Sequence, residues 1–173
     1  MKRMFLFSLI VTCLLSSTAV HAQCLKAYLG QGNSGKCRPT VHNAPKGKVI
    51  ATLPDVNDHF IEVMVKNGRN SYWQIDQGSC YDQDANRTID LPAQAYIHCQ
   101  YVYGCFESNG PITIRKNPSA SAEVEQVVRP VKNNKKTTLM TPIATIRNGW
   151  IQVRSAGSQG YGWIEVKYYK SPW

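Results

Sequence analysis

The sequence predicts an all-β protein built as two small modules in tandem, and three observations carry that prediction. No segment sustains the 3.6-residue apolar period of a helix face. Short runs rich in Val, Ile, Thr and aromatic residues alternate instead with clusters of Gly, Pro, Asn and Asp, the composition of strands separated by turns. The third observation is an internal echo. Gly149-Trp150-Ile151-Gln152-Val153-Arg154-Ser155, followed by Gly160-Tyr161-Gly162-Trp163-Ile164-Glu165-Val166-Lys167-Tyr168-Tyr169, reads as two strands about a tight Gly/Ser turn, and Ala95-Tyr96-Ile97-His98-Cys99-Gln100-Tyr101 is a weaker copy of the second half.

Met1 to Ala22 has a charged start (Lys2, Arg3), an apolar run from Phe5 to Leu15, and small residues at Val20 and Ala22, the form of a cleaved secretory signal. The run is short of the roughly 20 apolar residues of a membrane span, so no transmembrane segment is expected in the mature chain. Thr12 and Gln23 precede Cys13 and Cys24, which is not the pattern of a lipoprotein. The mature chain, Gln23 to Trp173, carries 18 basic against 11 acidic residues, a net charge of +7. That charge is uneven: residues 23–105 hold 8 basic and 7 acidic side chains, residues 106–173 hold 10 and 4. An anionic partner is therefore expected to meet the second half first.

Five cysteines remain after the leader: Cys24, Cys37, Cys80, Cys99 and Cys105. In an exported chain of small modules they are disulfide candidates, with the odd one unpaired or joined to another molecule. Cys24 with Cys37, and Cys80 with Cys99, are pairings the order of elements allows. No metal is expected, because no two cysteines are separated by two residues and no His pair lies nearby. Asp76, Asp82 and Asp84 likewise lack the alternating ligand loop and closing Glu of a calcium site.

In chain order, Cys24 to Lys36 is glycine-rich and reads as an irregular lead-in. Thr40 to His42, Val49 to Leu53 and Phe60 to Val65 read as strands, with Asn67-Gly68 as a tight hairpin turn into Tyr72-Trp73-Gln74-Ile75. Asp76 to Ala93 reads as an inserted loop before the strand at Ala95. In the second half Ile112 to Arg115 alternates, and Ser119 to Val128 is loop plus strand. Its Ala, Glu and Gln would also suit a short helix, but no acid follows three after Ser119 or Ser121 to complete a capping box. Lys132 to Lys136 is a basic loop. Thr137 to Met140 and Ile143 to Ile146 are strands divided by Pro142, and Arg147-Asn148-Gly149 is a hairpin turn.

These residues resemble the bacterial SH3-like domain, a small barrel common in exported cell-envelope proteins. The second half carries the resemblance best, through Ile114-Arg115-Lys116-Asn117-Pro118, Val124, Gly149-Trp150-Ile151-Gln152-Val153 and Gly162-Trp163-Ile164. The first half follows with Val41-His42-Asn43-Ala44-Pro45, Val49 to Leu53, Tyr72-Trp73-Gln74-Ile75 and Tyr96-Ile97, where Tyr96 stands in the place of Trp163 and Cys99 in that of Val166. The resemblance implies two SH3-like barrels, residues 23–105 and 106–173, after a signal peptide at 1–22.

No room is left for a separate catalytic domain, and His98 and Cys99, adjacent on a strand, point to opposite faces, so no enzyme activity and no cofactor are expected. Recognition falls to the aromatic residues Tyr72, Trp73, Trp150, Tyr161 and Trp163, and to Arg115, Lys116, Lys135 and Lys136. Trp150 and Trp163 are also candidates to cap the core, while Tyr161 is expected to face outward. The chain is thus expected to be an exported, periplasmic, non-catalytic binding protein for cell-wall peptides or another envelope component. The alternative is an inhibitor or immunity protein that blocks an exported protein partner, a toxin or cell-wall hydrolase. Nucleic acid is not an expected partner.

Overall fold

The computed structural model describes residues 24–32, 35–132, 134–155 and 160–171. The expected leader lies outside the described residues, as do the turn at 156–159 and Trp173. The described chain is all-β. Its strands are β1 (Leu25–Leu29), β2 (Thr40–His42), β3 (Val49–Thr52), β4 (Ile61–Arg69), β5 (Tyr72–Asp82), β6 (Arg87–Asp90), β7 (Tyr96–His98), β8 (Val102–Ser108), β9 (Ile112–Arg115), β10 (Val124–Val128), β11 (Thr137–Arg147), β12 (Trp150–Arg154), β13 (Tyr161–Glu165) and β14 (Tyr169–Lys170). Single 3-10 turns at Cys99–Tyr101 and Val166–Tyr168 follow β7 and β13. Among the described residues no helix is long and apolar enough to cross a membrane.

The strands form one antiparallel sheet, in the order β10-β9-β13-β12-β11-β8-β1-β4-β5-β7-β2-β3, with β6 added to β5 and β14 to β8. One strand order is written twice along that path. Counted within each half and leaving β1, β6 and the shared β8 aside, β3-β2-β7-β5-β4 and β10-β9-β13-β12-β11 both read second, first, fifth, fourth, third. Each fifth strand ends in a 3-10 turn, beginning at Cys99 in one half and Val166 in the other, the two positions equated from sequence. The registers match as well. Tyr72, Trp73 and Gln74 face His98, Ile97 and Tyr96, as Trp150, Ile151 and Gln152 face Glu165, Ile164 and Trp163.

Backbone pairing does not close either half into the separate barrel expected of it: the path is open, with β10 and β3 at its ends. The reason is β8. It follows the first 3-10 turn, but one of its edges pairs along residues 103–108 with β11 of the second half. Its other edge takes β1 at Val102 and Tyr103 and then β14 at Cys105 and Phe106. The strand also runs through residues 105 and 106, where the sequence reading divides the chain.

Four local features differ from the sequence expectations. The lead-in contains β1, whose Leu25, Ala27, Tyr28 and Leu29 are buried between β4 and β8. The inserted loop begins as a continuation of β5. Val65 faces Ile75 while Val63 faces Cys80, so residues 76–79 bulge opposite Met64, and Gln77 and Gly78 adopt positive φ to allow it. The β4–β5 turn lies at Asn70-Ser71, both with positive φ as a type I′ turn requires, whereas Asn67 takes positive φ within a register slip of β4. Finally, β11 is one strand. At Pro142, which has no N–H to give, its pairing passes from β8 to β12.

The two halves share a core. Trp73 on β5 is fully buried, and its indole Nε1–H donates to the Ile143 carbonyl of β11 at 2.7 Å. Thr145 Oγ1 donates to the Gly68 carbonyl at 2.9 Å. A Cβ on Gly68 would stand 3.0 Å from both the Ala144 carbonyl oxygen and the Trp73 ring, so the halves approach closely there.

Candidate functional site

Alternation along β12 and β13 sorts their side chains. Ile151, Val153, Gly162 and Ile164 point inward and are buried, and a Cβ on Gly162 would come within 2.2 Å of Ile114 Cγ2. The outward row is Trp150, Gln152 and Arg154 on β12, opposite Glu165, Trp163 and Tyr161 on β13, with Arg115 of β9 beside Trp163. The first half repeats it: Trp73, Ile75, Ile97 and Val41 are buried, while Tyr72, Gln74, Tyr96, His98 and His42 lie on the other face. A triple of glutamine, aromatic ring and base therefore recurs in one register, as Gln74, Tyr96 and His42 and as Gln152, Trp163 and Arg115.

The two copies differ in surroundings. In the first, the Tyr72 ring stands edge-on to both His42 and His98, with centroids 5.4 and 5.0 Å away. His98 Nδ1 accepts from the Gln100 N–H and starts the 3-10 turn. Burial, then the neighbouring His42, lowers the His98 pKa and favours the neutral ring. In the second, Arg115 Nη1 donates to the Ala122 carbonyl at 2.6 Å and Lys116 pairs with Glu123 at 2.8 Å, so both cations brace the turn between β9 and β10.

Two concavities flank the β4–β5 hairpin tip and share Gly68, Arg69 and Asn70. One, about 720 Å³, is lined further by Pro45, Tyr72, Gln74 and Tyr96 of the first half. The other, about 200 Å³, adds Ser71, Thr145, Gln152 and Tyr161 at the junction of the halves. Tyr161 is 46% exposed. Burial, with the Cys99 thiol hydrogen-bonded to its hydroxyl, pushes its phenol pKa up. The hairpin thus carries Arg69 between two tyrosine-bearing grooves, an arrangement suited to an extended polar chain that offers hydrogen-bonding groups along its length.

No protein-family model matches the chain, and no curated protein matches it.

Of the sequence-derived candidates, the structure gathers Tyr161, Trp163 and Arg115 on one face and sets Tyr72 beside the larger groove. Tyr161 and Trp163, two residues apart on β13, share the outward face, so Trp163 is not the core cap for which it was also a candidate. Trp150 lies on the same row but is only 8% exposed. Trp73 is corrected outright, since with no accessible surface and its N–H committed to Ile143 it is a core residue. Lys135 and Lys136 sit apart, exposed in the loop before β11.

No disulfide joins any two of the five cysteines that the sequence offers as disulfide candidates. Each thiol meets a different neighbourhood. The Cys24 thiol donates to Asp76 Oδ2 at 3.7 Å, Cys37 Sγ accepts from Asn57 Nδ2 at 2.7 Å, and Cys99 meets Tyr161. Cys105 lies on β8 between Met140 and Lys170, and Cys80 is buried in the core, where burial pushes its thiol up to about 12.

One constellation was not singled out from sequence. His59 Nδ1 reaches the fully buried Asp82 carboxylate at 2.9 Å, at the rim of a cleft of about 590 Å³ lined also by Arg38, Asp55 and Arg87. Burial alone pushes the Asp82 carboxyl up. The Ala85 backbone N–H, His59 and Arg87 outweigh it and hold the group below the usual carboxylate range. Residues 59 and 82 are too far apart in sequence to signal a pair without the β4–β5 pairing.

Proposed function

We propose that this is a non-catalytic exported binding protein in which two SH3-like units, opened and joined along β8, hold a cell-wall peptide or another extended envelope component across the β4–β5 hairpin. The observation that carries this reading is the recurrence, in one register, of the glutamine, aromatic and basic triple on the outward face of both halves. A duplicated contact set suits a ligand that repeats along its length. The second groove places Gln152 and Tyr161 against the same hairpin, so one extended chain can meet both halves. Co-sedimentation with purified peptidoglycan tests it. The intact chain is expected in the pellet, and Tyr96→Ala with Tyr161→Ala is expected to weaken retention about tenfold at unchanged stability. Failure of the intact chain to sediment would sink the reading.

A second reading, an inhibitor or immunity protein acting on an exported protein partner, is favoured by the basic loop after β10. Arg129, Lys132, Lys135 and Lys136 are all exposed there.

A further inference from the structure

We infer that the outer edge of β10, with the cations that follow it, is a docking site for an acidic extended segment of a protein partner, taken up as an added strand. This extends the second reading, whose cations it shares, and does not depend on the grooves.

Among the described residues β10 ends the sheet path and pairs only with β9, so its outer edge presents backbone N–H and C=O groups to which no described strand is added. The register slip lies at its start, between Val124 and Gln126. Beyond it Gln126, Val127 and Val128 keep regular register with Ile114, Thr113 and Ile112. The edge is thus straight where a partner would extend it, with Val124 and Val127 exposed along it and Val131, 77% exposed, just past its end. Such an edge invites another strand unless charge or shape prevents it.

Charge selects the occupant. Among the described residues Arg129, Lys132, Lys135 and Lys136 enter no salt bridge, while Glu123 at the other end of the strand is taken by Lys116. The far end of the sheet is the equivalent strand of the first half. There Val49 and Ile50 are exposed on β3, and Lys46 and Lys48 precede them. A second copy offering β3 antiparallel would therefore bring Lys46 and Lys48 towards Arg129 and Lys132, which disfavours that pairing. An extended chain bearing carboxylates matches both the backbone edge and the charge, the mode in which main-chain hydrogen bonds supply affinity and side chains supply selection.

The test uses the whole mature chain and a fluorescein-labelled peptide of about ten residues that alternates Glu with Val and Thr, long enough to span one strand. By anisotropy the Glu peptide is expected to bind about tenfold tighter than its Lys counterpart, and Lys135→Glu with Lys136→Glu to remove that preference. N-methylation of alternate peptide residues, which deletes the N–H groups of one edge, is expected to weaken binding about tenfold, and hydrogen exchange to slow within residues 124–128. Equal binding of the Glu and Lys peptides, indifference to N-methylation, or protection on another strand such as β3 would each overturn the inference. The two surfaces also fail separately. Tyr96→Ala with Tyr161→Ala leaves the peptide assay unchanged, and the charge reversal leaves wall sedimentation unchanged.

Discussion

Asp82 shows how much one side chain organises. It ends β5, accepts the Ala85 N–H at 3.1 Å to shape the turn into β6, and draws His59 against the end of that strand. Only its Oδ1 meets hydrogen-bond geometry. Oδ2 lies 2.9 Å from His59 Nδ1 and 3.7 Å from Arg87 Nε without a well-aligned donor, so Arg87 acts on it through charge alone. Because the folded environment lowers the Asp82 pKa, folding favours the ionised carboxylate. The stability it contributes is present in full above the unfolded carboxylate pKa of about 4 and is lost as pH falls through the lower folded value. Urea midpoints measured from about pH 6 down to about pH 2 are therefore expected to fall less steeply for Asp82→Asn than for the parent chain, with the variant less stable at neutral pH. Parallel curves would show that other carboxylates carry the acid limb.

At the scale of elements, the segments legible in sequence were those whose signals are local. The β12–β13 pair announced itself through alternation, and Asn148-Gly149, both with positive φ, formed the predicted turn. The correspondence of Tyr96 with Trp163 and of Cys99 with Val166 was readable because pairing register follows the two-residue pleat. What could not be read depended on partners distant in the chain. The residues Leu25-Lys26-Ala27-Tyr28-Leu29 are too few and too close to Gly30 and Gly32 to look like a strand, and only β4 and β8 on either side make them one. Trp73 and Tyr72 are equally aromatic. Which of them turns inward was set by Ile143, seventy residues away. The site was half legible for the same reason: Tyr161, Trp163 and Arg115 were named from sequence, whereas Arg69, Gln74 and Gln152 gained a role once the hairpin stood between two grooves. The buried lead-in strand makes a prediction of its own. Ala27→Glu is expected to cost about 3 kcal/mol or more, or to prevent folding, because it buries an unpaired charge. Lys26→Gln, next to it but partly exposed and paired with Glu62 at 2.8 Å, is expected to cost under about 1 kcal/mol. Equal, small losses in urea denaturation would mean that β1 contributes no buried strand.

For the whole molecule, the duplicated strand order and the continuous sheet pull in opposite directions. Duplication suggests halves able to fold alone, while the contacts between them argue for one cooperative unit. Strand β8 decides between these. It belongs by sequence to the first half, yet it takes β11 on one edge and β1 and β14 on the other, so cutting the chain between Cys105 and Phe106 divides a strand that both halves need. The cut would also strip the Ile143 carbonyl from the Trp73 indole and the Lys26 carbonyl from the Tyr169 hydroxyl, leaving buried polar groups without partners in each fragment. Unfolding of the intact mature chain is accordingly expected to be a single transition, coincident by tryptophan fluorescence and far-ultraviolet circular dichroism. Residues 23–105 and 106–173 made separately are expected to show no cooperative unfolding. Two separated transitions in the intact chain, or a cooperative melt from either fragment, would mean that the shared strand is not what binds the halves into one fold.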